Sequence, residues 1–297
     1  MVATRLKYNL TQGTHILDLA KDLSAYHRRM HRQKKIYTVY CGFIRNNAGT
    51  SAKFNVAPLT WQSKAAVNRA FKIWRKMIHE TLKDREGLKT GKWNDFKILL
   101  DNSSTSTIAS SKDAADNNLS PGEWDYSTLT QPQLVPVQDA AGNPTAVGFD
   151  LDADQWEICI TGVHSGAAPN YTRVSAIQSW VDSRPVLPSS GEPENVININ
   201  DPLSNMFDVE DNDNEKVTII EAEGDLPPYS RTLPYGIGAG ALAPVSIADN
   251  DASDNTTALG SSVHGFQALC GLVQVVVTAD SGTCELFIDV ESQGESF

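Results

Sequence analysis

Gly271-Leu-Val-Gln-Val-Val-Val-Thr278 is the stretch that decides the fold of this chain. Four valines and a leucine in eight residues favour an extended, pleated backbone, on which branched side chains pack well. A strand with one wet face alternates apolar and polar residues. This one is nearly continuously apolar, as expected for a strand covered on both faces. The pattern reaches back far enough that His264 to Ala279 reads as one long strand. Asp280-Ser-Gly282 then makes a turn, and Thr283 to Glu291 forms a second strand.

Working outward, Ile36-Tyr-Thr-Val-Tyr-Cys-Gly-Phe-Ile-Arg45 is β-branched and aromatic and predicts another strand. Asn46-Asn-Ala-Gly49 gives a turn, and Lys53 to Leu59 returns. Asp95 to Leu100 reads as a short strand, with further strands at Leu129 to Val137, Thr145 to Leu151, Gln155 to Gly162 and Lys216 to Ala222. Ala-Ala-Gly-Asn-Pro and Asp-Ala-Asp punctuate the middle three as turns. Asn102 to Gly122 has no periodicity and reads as a surface loop. Many strands, long connections and few helices predict an all-β protein, an antiparallel sandwich of the single jelly-roll type.

Helices interrupt this pattern. Thr14 is placed to cap a helix running to about His31, with Ile16, Leu19, Ala20, Leu23, Tyr26 and Met30 at helical spacing. Trp61 to Lys83 is more sharply amphipathic. Val67, Ala70, Phe71, Trp74, Met77 and Ile78 lie on one face, and Arg69, Lys72, Lys76, His79 and Lys83 on the opposite one. Thr172 to Val181 reads as a short helix. The expected organisation is a basic arm and helix over 1–35 and a jelly-roll domain over 36–297, with an inserted helix at 61–85 and a loop-rich insertion at 183–263.

Charge is divided along the chain. Residues 1–100 hold 20 of the 25 Lys and Arg and only 6 of the 36 Asp and Glu, a net of +14, whereas residues 101–297 carry a net of −25. The cations concentrate in two places. Ala25-Tyr-His-Arg-Arg-Met-His-Arg-Gln-Lys-Lys35 has five of them, Arg28, Arg29, Arg32, Lys34 and Lys35, and no carboxylate. The helix 61–83 contributes Arg69, Lys72, Lys76 and Lys83. Favourable interaction with a helix C-terminus accounts for one or two cations of the first cluster, not for all of it. Such a split points to a polyanionic partner, or else to basic helices packed on the protein's own acidic part. Lys and Arg bind phosphates without precise spacing. Tyr26, Tyr37, Tyr40, Trp61, Trp74 and Trp93 share this third of the chain, where exposed rings can stack on unpaired bases.

Other chemistries find little support. The four cysteines, Cys41, Cys159, Cys270 and Cys284, form no Cys-x-x-Cys pair and read as small buried hydrophobes, with a Cys270–Cys284 disulfide left open. No signal-like or membrane-length apolar run is present, so a soluble protein of a reducing compartment is expected. Gly236-Ile-Gly-Ala-Gly240 does not follow a strand and reads as a flexible loop. Asp150, Asp152 and Asp154, and the cluster of Asp208, Glu210, Asp211, Asp213 and Glu215, lack the glycine and distal glutamate of a Ca²⁺ loop. His164-Ser165 has no nucleophile signature around it. His27 and His31 lack a third metal ligand nearby and, beside their arginines, read as phosphate contacts. No active site, cofactor or metal is expected.

Ile16-Leu-Asp-Leu-Ala-Lys-Asp-Leu-Ser24 with Arg28-Arg-Met-His-Arg-Gln33, Ala57-Pro-Leu-Thr-Trp61 and Gly91-Lys-Trp-Asn-Asp-Phe-Lys97 resemble capsid proteins of small, circular, Rep-encoding single-stranded DNA viruses. The resemblance implies a jelly roll that self-assembles, in 60 or more copies, into an icosahedral shell around single-stranded DNA. It also implies a virion protein assembled inside the host cell, with a host receptor and no membrane. At +14 per amino-terminal part, 60 copies bring about 840 positive charges and 180 copies about 2,500, against one negative charge per nucleotide. The alternative is a non-enzymatic β-sandwich module that binds Ca²⁺ or glycan through its acidic loops.

Overall fold

The computed structural model describes residues 3–45, 50–83, 91–102, 107–119, 122–138, 144–167, 170–183, 249–252, 261–279, 284–291 and 294–297. The strands in chain order are β1 (Ala3–Leu10), β2 (Gly13–Asp18), β3 (Ile36–Arg45), β4 (Thr50–Val56), β5 (Thr107–Ala109), β6 (Thr128–Gln138) and β7 (Pro144–Cys159). They continue with β8 (Ser165–Ala167), β9 (Asn170–Ser175), β10 (Asp249–Ala252), β11 (Ser261–Val263), β12 (Phe266–Leu269), β13 (Leu272–Ala279) and β14 (Cys284–Glu291). The helices are α1 (Leu19–His27), α2 (Trp61–Lys83) and α3 (Ala176–Asp182).

These strands build three sheets. The first has the order β1-β14-β3-β11, with β12 also on β3; the second has β10-β4-β13-β2-β5; the third has β6-β7-β9-β8. Pairing in the first sheet is antiparallel throughout. The second and third are mixed, because β5 runs parallel to β2 and β9 parallel to β7. The first two sheets share one apolar core. Leu6, Tyr8, Val39, Leu286 and Ile288 enter it from one side, and Leu17, Phe54, Val273 and Val275 from the other. The protein is therefore a mostly-β sandwich.

β13 lies between β4 and β2 in the second sheet, and both its faces are covered as its composition requires. Val273, Val275 and Val277 enter the shared core. On the other face Leu272 joins a second core, built from Ile16, Trp74, Phe96, Ile98, Ile158 and Trp180 among others. The Gln274 amide sits on that face too, accepting from Asn55 Nδ2 at 2.9 Å and donating to Asp101 Oδ2 at 3.2 Å. The excursion between β4 and β10 supplies this cover through α2, α3 and an extended segment at 96–100.

Several expectations are corrected. Residues 1–35 are not an arm set apart from the sandwich. β1 pairs with β14 along its whole length, Ala3 opposite Glu291 through Leu10 opposite Cys284, and β2 pairs with β13. The chain divides instead into Met1–Asp182 with Tyr235–Phe297, and Ser183–Pro234. The loop-rich insertion therefore stops short of residue 263, since β10 and β11 belong to the sandwich sheets. The helix expected from Thr14 starts only at Leu19, because sheet pairing to β13 overrides helical spacing for residues 13–18, and it ends at His27. No turn splits β7 at Asp152-Ala-Asp154, where the strand stays paired to β6. Residues 170–175, expected to be partly helical, form β9 before α3, while Asp95 to Leu100 is no regular strand and makes one isolated β-bridge, Leu99 to Cys159. Part of the expected 102–122 loop is β5. α2 occupies the expected residues, with Thr60 Oγ1 accepting from Ser63 N at 3.1 Å as its cap. The expected strand at 216–222 lies outside the described residues.

The single strand expected over 264–279 is two strands, one in each sandwich sheet, joined where Cys270 and Gly271 take left-handed φ angles of 59° and 69°. A Cβ on Gly271 would meet Tyr37 Cδ2 at 2.8 Å. Gly271→Ala therefore combines backbone strain with overpacking and is expected to destabilise the protein by roughly 2–4 kcal/mol, read as a lowered urea midpoint.

Candidate nucleic-acid interface

The basic segment 28–35 is fixed in place by one buried carboxylate. Asp18 ends β2 and caps α1, accepting from Lys21 N at 3.1 Å. It also accepts from Gln33 Nε2 at 3.1 Å, Trp124 Nε1 at 3.0 Å and Tyr126 Oη at 3.2 Å. Gln33 Oε1 in turn accepts from Ile98 N. Tyr37 Oη donates to Arg32 O at 2.8 Å, and Lys35 O accepts from Cys270 N at 2.8 Å. Gln33 thus plugs into the core between its cationic neighbours Arg32, which is exposed, and Lys34, which is partly buried.

Those neighbours have different fates. Arg28, at the C-cap of α1 with φ 50°, and Arg29 are exposed. Arg32 pairs with Asp95 at 3.4 Å. Lys34 lies over the Phe71 ring, 4.3 Å from its centroid; burial, and then the nearby Lys72, lower its pKa. Lys35 is half-buried. On α2, Arg69, Lys72, Arg75, Lys76 and Lys83 are exposed, opposite the buried Val67, Ala70 and Trp74. Lys76 and Glu80 form an exposed i,i+4 pair at 3.5 Å, a contribution of a few tenths of a kcal/mol. Among the described residues, Arg28, Lys72, Arg75 and Lys83 have no carboxylate in ion-pair range. The Lys34–Phe71 contact brings the two predicted cationic elements together. Arg5 and Lys7 are engaged elsewhere, with Asp289 and with Asp116 and Glu285, so the +14 of the first 100 residues overstates the charge open to a partner.

A groove of about 730 Å³ opens beside these elements. Arg28, Arg29, Trp74, Met77, Trp93, Lys97, Trp124 and Tyr126 are among the residues lining it. Trp93 is a candidate from sequence, Lys92 and Lys97 stand without an assigned role in the 91–97 segment of the capsid resemblance, and Trp124 and Tyr126 are not among the sequence candidates. The last two follow the sequence Pro121-Gly122 in Glu-Trp-Asp-Tyr, whose alternation of acid and aromatic residues was the available signal. Of the other aromatic candidates, Tyr37 and Trp74 belong to the cores, while Tyr26, Tyr40 and Trp61 are exposed.

The histidines are a correction. His27 Nδ1 and His31 Nε2 are 3.0 Å apart, Thr4 Oγ1 is 3.1 Å from His27 Nε2, and Arg29 Nε donates to His31 at 3.1 Å. Burial, reinforced by Arg29, holds His27 below its ordinary pKa, so it is a structural neutral ring rather than a phosphate contact. His164 Nδ1 accepts from Ser175 N at 3.2 Å, just ahead of α3. Cys41 is exposed instead of buried, and the other three cysteines are free thiols in the interior, Cys270 and Cys284 included. Among the described residues, no group of three or more His, Cys, Asp or Glu is set to hold a metal. The 208–215 acidic cluster and the 236–240 glycine loop lie outside the described residues.

Asp18 has a second carboxylate close by. Asp22 accepts from Tyr8 Oη at 2.6 Å. Burial raises Asp18 to about 6 and Asp22 to about 7, the latter helped by the charge of Asp18. Both folded-state values lie above those of unfolded chains. Their stabilising contribution is therefore complete at acidic pH and is lost as pH rises through 6 to 7. The Arg5–Asp289 pair has the opposite sign but acts below about pH 4, since Asp289 is held low chiefly by its hydrogen bond from Arg5. The two carboxyls are expected to lower the melting temperature as pH rises from about 4 to 7, against an opposing contribution from His27 and His164, whose pKa values burial holds low. Asp22→Asn, which keeps an acceptor for Tyr8, should flatten that slope in thermal scans across the range.

No protein family, no characterised protein and no solved structure gives a significant match to this chain.

Proposed function

We propose that this chain is a capsid subunit that self-assembles into an icosahedral shell and packages single-stranded DNA of a small circular genome. The observation that carries the reading is the meeting of segment 28–35 and α2 in one cationic surface on a β-sandwich, with exposed cations that lack carboxylate partners among the described residues. An intramolecular role for these charges would pair them with the chain's own abundant acids. Instead, among the described residues, Arg28, Lys72, Arg75 and Lys83 have no carboxylate in ion-pair range, as phosphate contacts require.

The finer fold on this reading is a single jelly roll, supported by the strand orders. With β11 and β12 counted as one strand, and with β5, the parallel addition at the edge of the second sheet, and the separate sheet β6 to β9 set aside, β1, β3, β11/β12 and β14 fall in one sheet, and β2, β4, β10 and β13 in the other. Successive strands change sheet at every step but β4 to β10, which are neighbours. Two interleaved four-stranded sheets of this kind close a shell subunit without a long open ribbon. The sequence resemblance to capsid proteins adds the genome type and the virion as location.

The cleanest test replaces Arg28, Arg29, Lys72 and Lys83, all exposed, by Ala. For four phosphate contacts, the slope of log K against log salt on single-stranded DNA should shrink by about 3. Particles should still form but carry less nuclease-protected DNA. Undiminished DNA content in assembled particles contradicts the packaging role.

A further inference from the structure

We propose that the groove beside α1 and α2 holds one unpaired nucleotide, its base stacked on Trp93 and its phosphate beside Arg28 and Arg29. This rests on the nucleic-acid reading above and locates it at one site. Its volume of about 730 Å³ is within the range of built ligand sites, about 300–1,000 Å³. Trp93 is 59% exposed, which leaves indole surface on which a base can stack. Lys92 Nζ lies 5.0 Å from its ring centroid. Lys97 is only 7% exposed, lines the groove, and holds its ammonium 5.0 Å from the Trp124 ring.

The groove thus combines an open aromatic face with four cations, Arg28, Arg29, Lys92 and Lys97. None of the four has a carboxylate in ion-pair range among the described residues. Glu123 and Asp125 also line it. Two carboxylates would repel a bare phosphate, but they suit a nucleotide, because a carboxylate accepts from an exocyclic base amino group such as cytosine N4. A duplex keeps its base faces stacked, so the platform selects single strands. The walls are set before the ligand arrives, since Trp124 and Tyr126 are both tied to Asp18. Preorganisation of this kind lowers the ordering cost of binding.

The test titrates the full-length protein with a 12-nucleotide oligo-dC and an oligo-dT in low salt, following tryptophan fluorescence. Trp93→Ala is expected to weaken binding between about five-fold and a hundred-fold, and Trp93→Phe to recover most of it. The salt slope should stay unchanged in both. Arg28→Ala with Arg29→Ala should instead lower that slope by about 0.7 per contact. Photocrosslinking of an iodouracil-containing strand to the unaltered protein should label the peptide that carries Trp93. Wild-type affinity in Trp93→Ala, with labelling only elsewhere, overturns the groove and leaves the cationic interface standing. Absence of oligonucleotide binding by the wild type overturns both. Trp93-dependent binding of an acidic peptide spanning residues 205–217, without oligonucleotide binding, makes the groove a protein contact and also overturns the proposal.

Discussion

The buried carboxylate of Asp18 is the constraint on which the cationic surface depends. It takes four donors from three places in the chain: the first turn of α1, Gln33 in the cationic segment, and the Trp124 and Tyr126 side chains. Hydrogen bonds to a charged group contribute about 1.5–3 kcal/mol each, and a buried carboxylate without them would be strongly destabilising. The network therefore works as a register pin. With Gln33 held, Arg28, Arg29 and Arg32 must lie outward, and Lys34 must lie against α2. Desolvation of the same carboxyl raises its pKa and favours acid-side stability, while the hydrogen bonds of the pin act in the opposite direction by favouring the ionised form.

A second constraint is the double coverage of the sheet containing β13. A strand this apolar needs cover on the face away from the sandwich core, and the long excursion between β4 and β10 provides it. α2 packs Val67, Ala70 and Trp74 inward there, which obliges its other face to solvent. Packing, rather than any feature of the cations themselves, is what displays Arg69, Lys72, Arg75, Lys76 and Lys83 on one side. Core formation and interface formation are thus one event.

Sequence reading succeeded where one periodicity dominated. α2 announces itself through an apolar stripe and an opposed cationic one, and β3 through branched and aromatic residues. It failed where local pattern and tertiary pairing disagreed. Residues 14–18 carry helical spacing but pair with β13, and Ile16 and Leu17 then divide between the two cores. β1 was legible in principle, since Leu6, Tyr8 and Leu10 alternate with Arg5, Lys7 and Asn9, but its position and basic residues argued for an arm. At the interface the cations were readable, because charge needs no partner to be noticed. The contacts that sort them were not. That Gln33 plugs inward depends on Asp18 and Ile98, 15 and 65 positions away, that Trp124 and Tyr126 wall a groove depends on Asp18, 106 and 108 positions away, and that His27 is neutral depends on burial.

The most direct measurement is negative-stain microscopy of the purified full-length protein, paired with absorbance at 260 and 280 nm after nuclease treatment. Closed, uniform particles with protected nucleic acid are the predicted result for a genome-packaging shell subunit. A monomer free of nucleic acid at physiological salt would contradict it.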